Sequence, residues 1–176
     1  MPITTTQFDA EALYRALLEQ VRAGLAGVPD TAIVGIHSGG AWLAQRLARD
    51  LDLTDRLGSI DVSFYRDDYA KKGLHPDVKP TQIGFNVDRA NILLVDDVLY
   101  TGRTTRAAIN VLFDYGRPAR IMLAALADRA GRELPVAADF VGVHAELAAG
   151  QSLALQRSDD GTLSLSVEDE SEEHGA

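Results

Sequence analysis

Apolar residues recur at helical spacing near the start of the chain, where Leu13, Leu17, Leu18, Val21 and Leu25 follow the capping residue Asp9 and precede Gly27 and Pro29. An amphipathic opening helix is predicted. The period changes at Ala32-Ile33-Val34-Gly35-Ile36, a short run with β-branched residues that stops at His37-Ser38-Gly39-Gly40 and reads as a buried strand entering a turn. Helical spacing returns through Trp42, Leu43, Leu47 and Leu51, and residues 60–65 alternate as a half-buried strand. Residues 66–82, with charged clusters, two prolines and a glycine but no apolar period, read as a long exposed loop of the kind that often serves as a lid.

In the second half, Ile92-Leu93-Leu94-Val95 is continuously apolar, as expected of a strand covered on both faces. Residues 104–115 predict a helix with Ala108, Val111, Leu112 and Tyr115 inward, stopped by Gly116 and Pro118. A buried strand over 121–126 and candidate strands over 140–143, 152–155 and 163–167 follow. Strands that alternate with helices predict an α/β domain with a mainly parallel sheet flanked by helices. One such domain is expected over residues 1–167, with 168–176 an acidic, disordered tail because its like charges repel and bury no core.

Composition narrows the class. At 176 residues with 46% apolar content, one domain buries a core without staples. Cysteine is absent, which rules out disulfides and thiolate metal sites and suits a reducing compartment. The N-terminus has no basic region followed by an apolar run, and no stretch has the length of a membrane span, so a cytoplasmic protein is expected. A formal net charge of -9 works against diffuse attraction to nucleic acid. Binding RNA would need a local basic patch, and Arg15, Arg106, Arg117, Arg120, Arg129 and Arg132 read as surface charges.

The chemistry concentrates in Ile92-Leu93-Leu94-Val95-Asp96-Asp97-Val98-Leu99-Tyr100-Thr101-Gly102-Arg103-Thr104-Thr105. In open α/β sheets ligands collect at the carboxyl ends of strands, which is where Asp96 and Asp97 emerge. Two carboxylates accept hydrogen bonds from the paired hydroxyls of a ribose, and their charge favours a cationic sugar carbon in a transition state. They repel phosphate. The turn through Thr101, Gly102, Arg103, Thr104 and Thr105 compensates by offering backbone N–H groups, hydroxyls and the positive end of a helix dipole to an anion.

This string resembles the binding motif for phosphoribosyl pyrophosphate (PRPP) of type I phosphoribosyltransferases, and its extension from Val95 to Thr104 resembles the PyrR family of pyrimidine operon regulators and uracil phosphoribosyltransferases. Tyr65-Arg66-Asp67-Asp68, Gly116-Arg117-Pro118, Asp128-Arg129 and Arg132-Glu133-Leu134-Pro135 are similar to the same family, and the resemblance spans about residues 8–143. It implies the type I phosphoribosyltransferase fold with a small hood, ribose bound by Asp96 and Asp97, and the 5-phosphate held by Thr101, Gly102, Arg103, Thr104 and Thr105. It also implies Mg²⁺ held mainly by PRPP, a lid carrying Arg66, Lys71 and Lys72, a homodimer or homotetramer, and PRPP, uracil, UMP and a pyr mRNA leader as partners.

Two segments depart from the family pattern. His37, Ser38, Gly39 and Gly40 stand where the family's pyrophosphate loop usually carries a lysine and an arginine, so charge-assisted donors to pyrophosphate are missing. The base-binding hood, where Phe140 and Val141 are the candidate contacts, is altered at Val141-Gly142-Val143-His144. Lys71, Lys72 and Lys79 either meet pyrophosphate or stay solvated.

Two functions therefore stand side by side: transfer of a phosphoribosyl group from PRPP to uracil, or a nucleotide-sensing regulator of pyr mRNA with little catalysis. A phosphoacceptor receiver domain is excluded by the position of the acidic pair and by the Thr-Gly-Arg-Thr that follows it. Neither a Walker loop nor a Gly-x-Ser-x-Gly elbow occurs.

Overall fold

The structure, a computed structural model, describes residues 7–63 and 81–170. Asp9 accepts a hydrogen bond from the Ala12 N–H (3.0 Å) and so caps α1 (Ala10–Leu25), which follows the short strand β1 (Gln7–Phe8). The chain continues through β2 (Thr31–Ile36), α2 (Gly39–Asp50), β3 (Leu57–Ile60), β4 (Gln82–Ile83), β5 (Asn91–Leu99), α3 (Arg103–Tyr115), β6 (Arg120–Arg129) and β7 (Phe140–Ala145). Strands β8 (Gln151–Arg157) and β9 (Leu163–Asp169) complete it.

Six strands form the main sheet in the order β4-β3-β2-β5-β6-β7, all pairs parallel except β3 with β4. The continuous apolar run in β5 is explained by burial on both faces. Leu93 and Val95 pack with Leu17 and Val21 of α1 and Leu43 and Leu47 of α2, whereas Ile92 and Leu94 pack with Ala108 and Leu112 of α3. A smaller antiparallel sheet, β1-β9-β8, stands apart from the main one. Leu163 and Leu165 of β9 join the core under α1.

An ion pair ties the small sheet to the helices. Arg46 of α2 donates to both oxygens of Glu11 (2.6 and 2.9 Å) and to the Gly161 carbonyl (2.7 Å), while Glu11 accepts the Leu163 N–H (2.8 Å). Glu11 thereby bonds at once to α2 and to the start of β9.

The elements differ from their sequence-based expectation in several places, among them the short strand β4, which takes the last residue of the loop expected over 66–82. Of the strand expected over 60–65, residues 64 and 65 lie outside the described residues, and β3 ends at Ile60. Beyond it the Ser63 N–H donates to the Asp61 carboxylate, which replaces ladder pairing by a local turn. Tyr115, the last residue of α3, is exposed rather than inward. The two-residue β1 was not anticipated, since its only partner, β9, lies at the other end of the chain. The ordered chain also runs past the boundary expected at Val167: Glu168 and Asp169 belong to β9, and the Glu170 N–H bonds to the Gly150 carbonyl (2.7 Å). Backbone pairing is indifferent to the charge of the side chains it carries. Most of the loop expected over 66–82, residues 66–80, and residues 171–176 lie outside the described residues.

The hydrogen bond from Arg46 holds the Glu11 carboxyl below its ordinary range. A depressed carboxyl pKa stabilises the fold above the unfolded value, and that contribution is lost as pH falls through the folded one. Glu11→Gln is expected to cost about 1 kcal/mol at pH 7. In urea titrations the gap from the parent should close in acid, below the folded pKa of Glu11.

Candidate active site

Strand β5 outruns its neighbour on one side. Its pairing with β2 stops at Gly35 opposite Val95, whereas its pairing with β6 continues through Asp96, Val98 and Leu99. The start of α2 fills the space that β2 leaves. A Cβ on Gly40 would lie 2.4 Å from the Val95 carbonyl oxygen, and one on Gly39 would lie 2.4 Å from Asp97 Oδ2. Only glycine permits that approach.

The acidic pair is anchored by the backbone that follows it. Asp96 Oδ1 accepts the Asp97 N–H and Asp97 Oδ1 accepts the Val98 N–H, both at 2.8 Å. Asp96 is buried and Asp97 partly exposed. Each carboxylate is thus held in a fixed orientation at the end of a buried strand.

The next turn gathers donors of the kind that bind an anion. Gly102 takes a left-handed conformation (φ +95°), the Arg103 N–H reaches Thr101 Oγ1 (3.2 Å), and the first helical bond of α3 runs from Arg106 N–H to the Gly102 carbonyl (3.0 Å). The N–H groups of Thr104 and Thr105 therefore stand at the open, positive end of the helix. Thr105 Oγ1 is buried and has no hydrogen-bond partner among the described residues. A buried hydroxyl without a partner is costly, and a phosphoryl oxygen would satisfy it. From behind, the Glu133 and Leu134 N–H groups bond to the Thr101 carbonyl (2.9 and 3.0 Å) and brace the turn.

Asp96, Asp97 and the turn open onto a cleft of about 310 Å³, closed elsewhere by Tyr100, Arg129, the small sheet's Ser152 and Leu153, and Glu170 just past β9. Carboxylates for a diol lie beside hydroxyls and N–H groups for an anion, a spacing that suits a sugar phosphate.

Comparison with known proteins agrees. The phosphoribosyl transferase domain model matches residues 5–154. Bifunctional protein PyrR of Ralstonia nicotianae is 55% identical over 161 residues, covering 90% of this chain and 92% of that protein. The chain belongs to the PyrR family. Bifunctional protein PyrR of Nitrosococcus oceani is 51% identical over 143 residues, covering 80% and 81%. The purine phosphoribosyltransferase of Pyrococcus horikoshii superposes with a TM-score of 0.59 at 27% identity, covering 78% of this chain and 83% of that one. The type I phosphoribosyltransferase fold expected from the sequence is the fold observed.

Against this PyrR-family framework the other candidate residues sort as follows. The turn expected over 37–40 is shorter than that, because α2 begins at Gly39, leaving His37 and Ser38 joined by a cis peptide bond. His37 donates its N–H to the Ile60 carbonyl (2.9 Å) and Ser38 accepts from the Trp42 N–H (3.2 Å). Gly39 borders Asp97 and Gly40 borders the Val95–Asp96 backbone, but none of the four residues lines the cleft. The Arg103 side chain pairs with Glu133 (3.4 Å), and neither residue lines the cleft. Arg66, Lys71 and Lys72 lie outside the described residues.

Phe140 and Val141, the candidate base contacts, stand at the junction of β7 with α1. Neither lines the cleft: the Phe140 ring packs on Gly24 of α1, and the Val141 carbonyl accepts from Gln20 Nε2 (2.8 Å). They belong to the joint between α1 and β7. The hood wall of the cleft comes from Ser152 and Leu153 instead. No local signal marks those two, because only the closure of β8 against β9 brings them over the acidic pair. Arg129 and Arg132, expected as surface charges, are also placed differently. Arg132 donates to the Val136 carbonyl (2.7 Å), to Asp128 (2.8 Å) and to the Tyr100 carbonyl, and Arg129 stacks on the Tyr100 ring, 4.0 Å from its centroid.

Thr105→Val keeps the shape of the side chain and removes the unpartnered hydroxyl. Thermal unfolding should show stability unchanged or raised by up to about 1 kcal/mol. Affinity for ribose 5-phosphate, followed by calorimetric titration, should fall by about tenfold, the loss of one hydrogen bond to a charged group.

Proposed function

We propose that this protein transfers the phosphoribosyl group of PRPP to uracil, giving UMP and pyrophosphate, and that the same nucleotide site lets it regulate pyr mRNA. The observation that carries this reading is the acidic pair fixed next to an anion-binding turn whose Thr105 hydroxyl is buried without a partner. The name shared by its relatives, bifunctional protein PyrR, supports a double role.

In this reading the turn from Thr101 to Thr105 anchors the 5-phosphate, and Asp96 and Asp97 accept hydrogen bonds from the ribose hydroxyls. Their negative charge also favours the oxocarbenium-like carbon as the bond to pyrophosphate weakens. Pyrophosphate leaves toward His37, Ser38, Gly39 and Gly40, with the lid residues Arg66, Lys71 and Lys72 as further donors. Among the described residues no group of three or more His, Cys, Asp or Glu side chains is placed to hold a metal. The two carboxylates fit Mg²⁺ only as minor ligands, so PRPP oxygens would supply most of its coordination. Bound there, the ion would neutralise charge on the departing pyrophosphate.

No helix among the described residues is long and apolar enough to cross a membrane. With a chain free of cysteine, we place the protein in the cytoplasm, as a homodimer or homotetramer. A second reading, a nucleotide sensor with little catalysis, is favoured by the absence of lysine and arginine from residues 37–40.

Pyrophosphate release from PRPP, measured with uracil and with a panel of other bases, decides between the two. The first reading expects turnover with uracil and a loss of about 10² to 10³ in kcat for Asp96→Asn with Asp97→Asn, the scale of removing an electrostatic group from a transition state. UMP binding without turnover on any base would establish the sensor. Regulation through RNA predicts leader binding that strengthens with UMP and weakens steeply with salt.

A further inference from the structure

Helix α2 meets the acidic pair at its start and the small sheet near its middle. Its first turn sets Gly39 against the Asp97 carboxylate and Gly40 against the Val95 carbonyl. About 10 Å further along the helix, Arg46 holds the tip of the hairpin that β8 and β9 form. It donates to the Gly161 carbonyl (2.7 Å) and to both oxygens of Glu11 (2.6 and 2.9 Å), and Glu11 accepts the Leu163 N–H (2.8 Å). From that tip the hairpin runs back to the cleft. Leu163 pairs with Arg157 beside the tip, and about 17 Å along the strand Glu168 pairs with Ser152, which lines the cleft together with Leu153. One helix and one hairpin therefore connect the acidic pair to a wall of its own cleft.

Directional bonds fix the hairpin at its tip. Leu155, Leu163 and Leu165 are buried with α1 and α2, but apolar contact favours burial without prescribing a direction. Among the described residues, the hydrogen bonds that join the hairpin to the helices are those at Gly161 and Leu163. Arg157, at the same end, lies over the Trp42 ring of α2, 4.9 Å from its centroid. The Arg46 guanidinium is itself held by the paired oxygens of Glu11 and by the Tyr14 ring, 5.2 Å from its centroid. Side-chain exposures of 20% for Arg46 and 29% for Glu11 protect the pair from much of the screening that weakens a surface salt bridge.

We propose that Arg46 and Glu11 are positioning residues for the wall of Ser152 and Leu153. Neither lines the cleft; their pair sets how far that wall stands from the acidic pair. This rests on the transferase reading above, in which the turn and the carboxylates take the sugar phosphate and the wall is left to the base.

Steady-state kinetics with PRPP and uracil varied separately, at a temperature where circular dichroism shows each variant folded, test it. Arg46→Met keeps the length of the side chain and removes its donors. It should raise KM for uracil about tenfold, with KM for PRPP within about twofold and kcat within about threefold of the parent. Arg46→Lys should recover part of the loss, because one nitrogen keeps the charge but not the fork. Adding Glu11→Leu to Arg46→Met removes the carboxylate left unpaired, so the unfolding midpoint should return toward the parent's while KM for uracil stays raised. Recovery of KM along with stability would show a merely structural role and overturn the proposal. Equal rises in both KM values, or no rise, would overturn it as well. Should the methionine variants not fold, Arg46→Lys decides alone: KM for uracil must rise at least about threefold with PRPP unaffected, and a parent-like value rejects the clamp. If the parent protein does not turn over uracil at all, the transferase reading itself fails. The clamp is then judged by calorimetric binding: Arg46→Met must weaken UMP at least about fivefold and spare ribose 5-phosphate, and any other outcome rejects it.

Discussion

The closeness of the backbone at Gly39 and Gly40 to the end of β5 is the contact on which the site's geometry depends. The sheet must stop pairing on one side of Asp96 for a ligand to reach the carboxylates, yet the exposed end of a buried strand needs a neighbour. The first turn of α2 supplies it at a distance no side chain would tolerate, with Asp97 Oδ2 and the Val95 carbonyl in the places where Cβ atoms would go. The same contact bears on the altered pyrophosphate segment. An arginine at position 39, where the family pattern carries one, would have to set its Cβ against the Asp97 carboxylate as this backbone now runs. The missing cation and the tight seat of α2 are two aspects of one local arrangement.

Charge in the cleft is divided by location. The chain carries an excess of acid, and the cleft adds Asp96, Asp97 and Glu170 to a place proposed to bind a polyanion. Attraction for the anion comes from oriented dipoles: the start of α3, the Gly102 turn and two threonine hydroxyls, braced by the 133–134 backbone. Dipoles held by the fold act over a short range and leave the neighbouring carboxylates free to bind the sugar. A cluster of lysines in the same place would have paired with them.

How much of this could be read in the sequence follows from the range of the interactions. The strand, acidic pair, turn and helix of residues 92–105 lie consecutively in the chain, and their local chemistry sufficed to place both the carboxylates and the anion turn. The doubly covered β5 and the cap at Asp9 were legible for the same reason. Tertiary pairing decided the rest. Phe140 and Val141 were base-contact candidates by position in the chain, and α1 holds them through Gly24 and Gln20. Ser152 and Leu153 look like ordinary strand residues until β8 closes against β9, and Glu168 looks like part of a solvated tail until it pairs with Ser152.

Arg129 and Arg132 show why residue type alone was insufficient there. Both follow β6 or end it, both carry the same charge, and both read as surface arginines. The difference lies in what each guanidinium meets. Carbonyls and a carboxylate arranged around Arg132 take up its donors and make it a clamp that holds the 130–136 loop against Tyr100. Arg129 meets only a ring face, which binds the plane of the cation and leaves its edge available. Gly131 between them is what allows the Tyr100 ring to lie where Arg129 can stack on it. A glycine at that position, following an arginine at a strand end and preceding a clamped one, is thus the local feature through which the loop after β6 turns one arginine inward for structure and leaves the other facing the cleft.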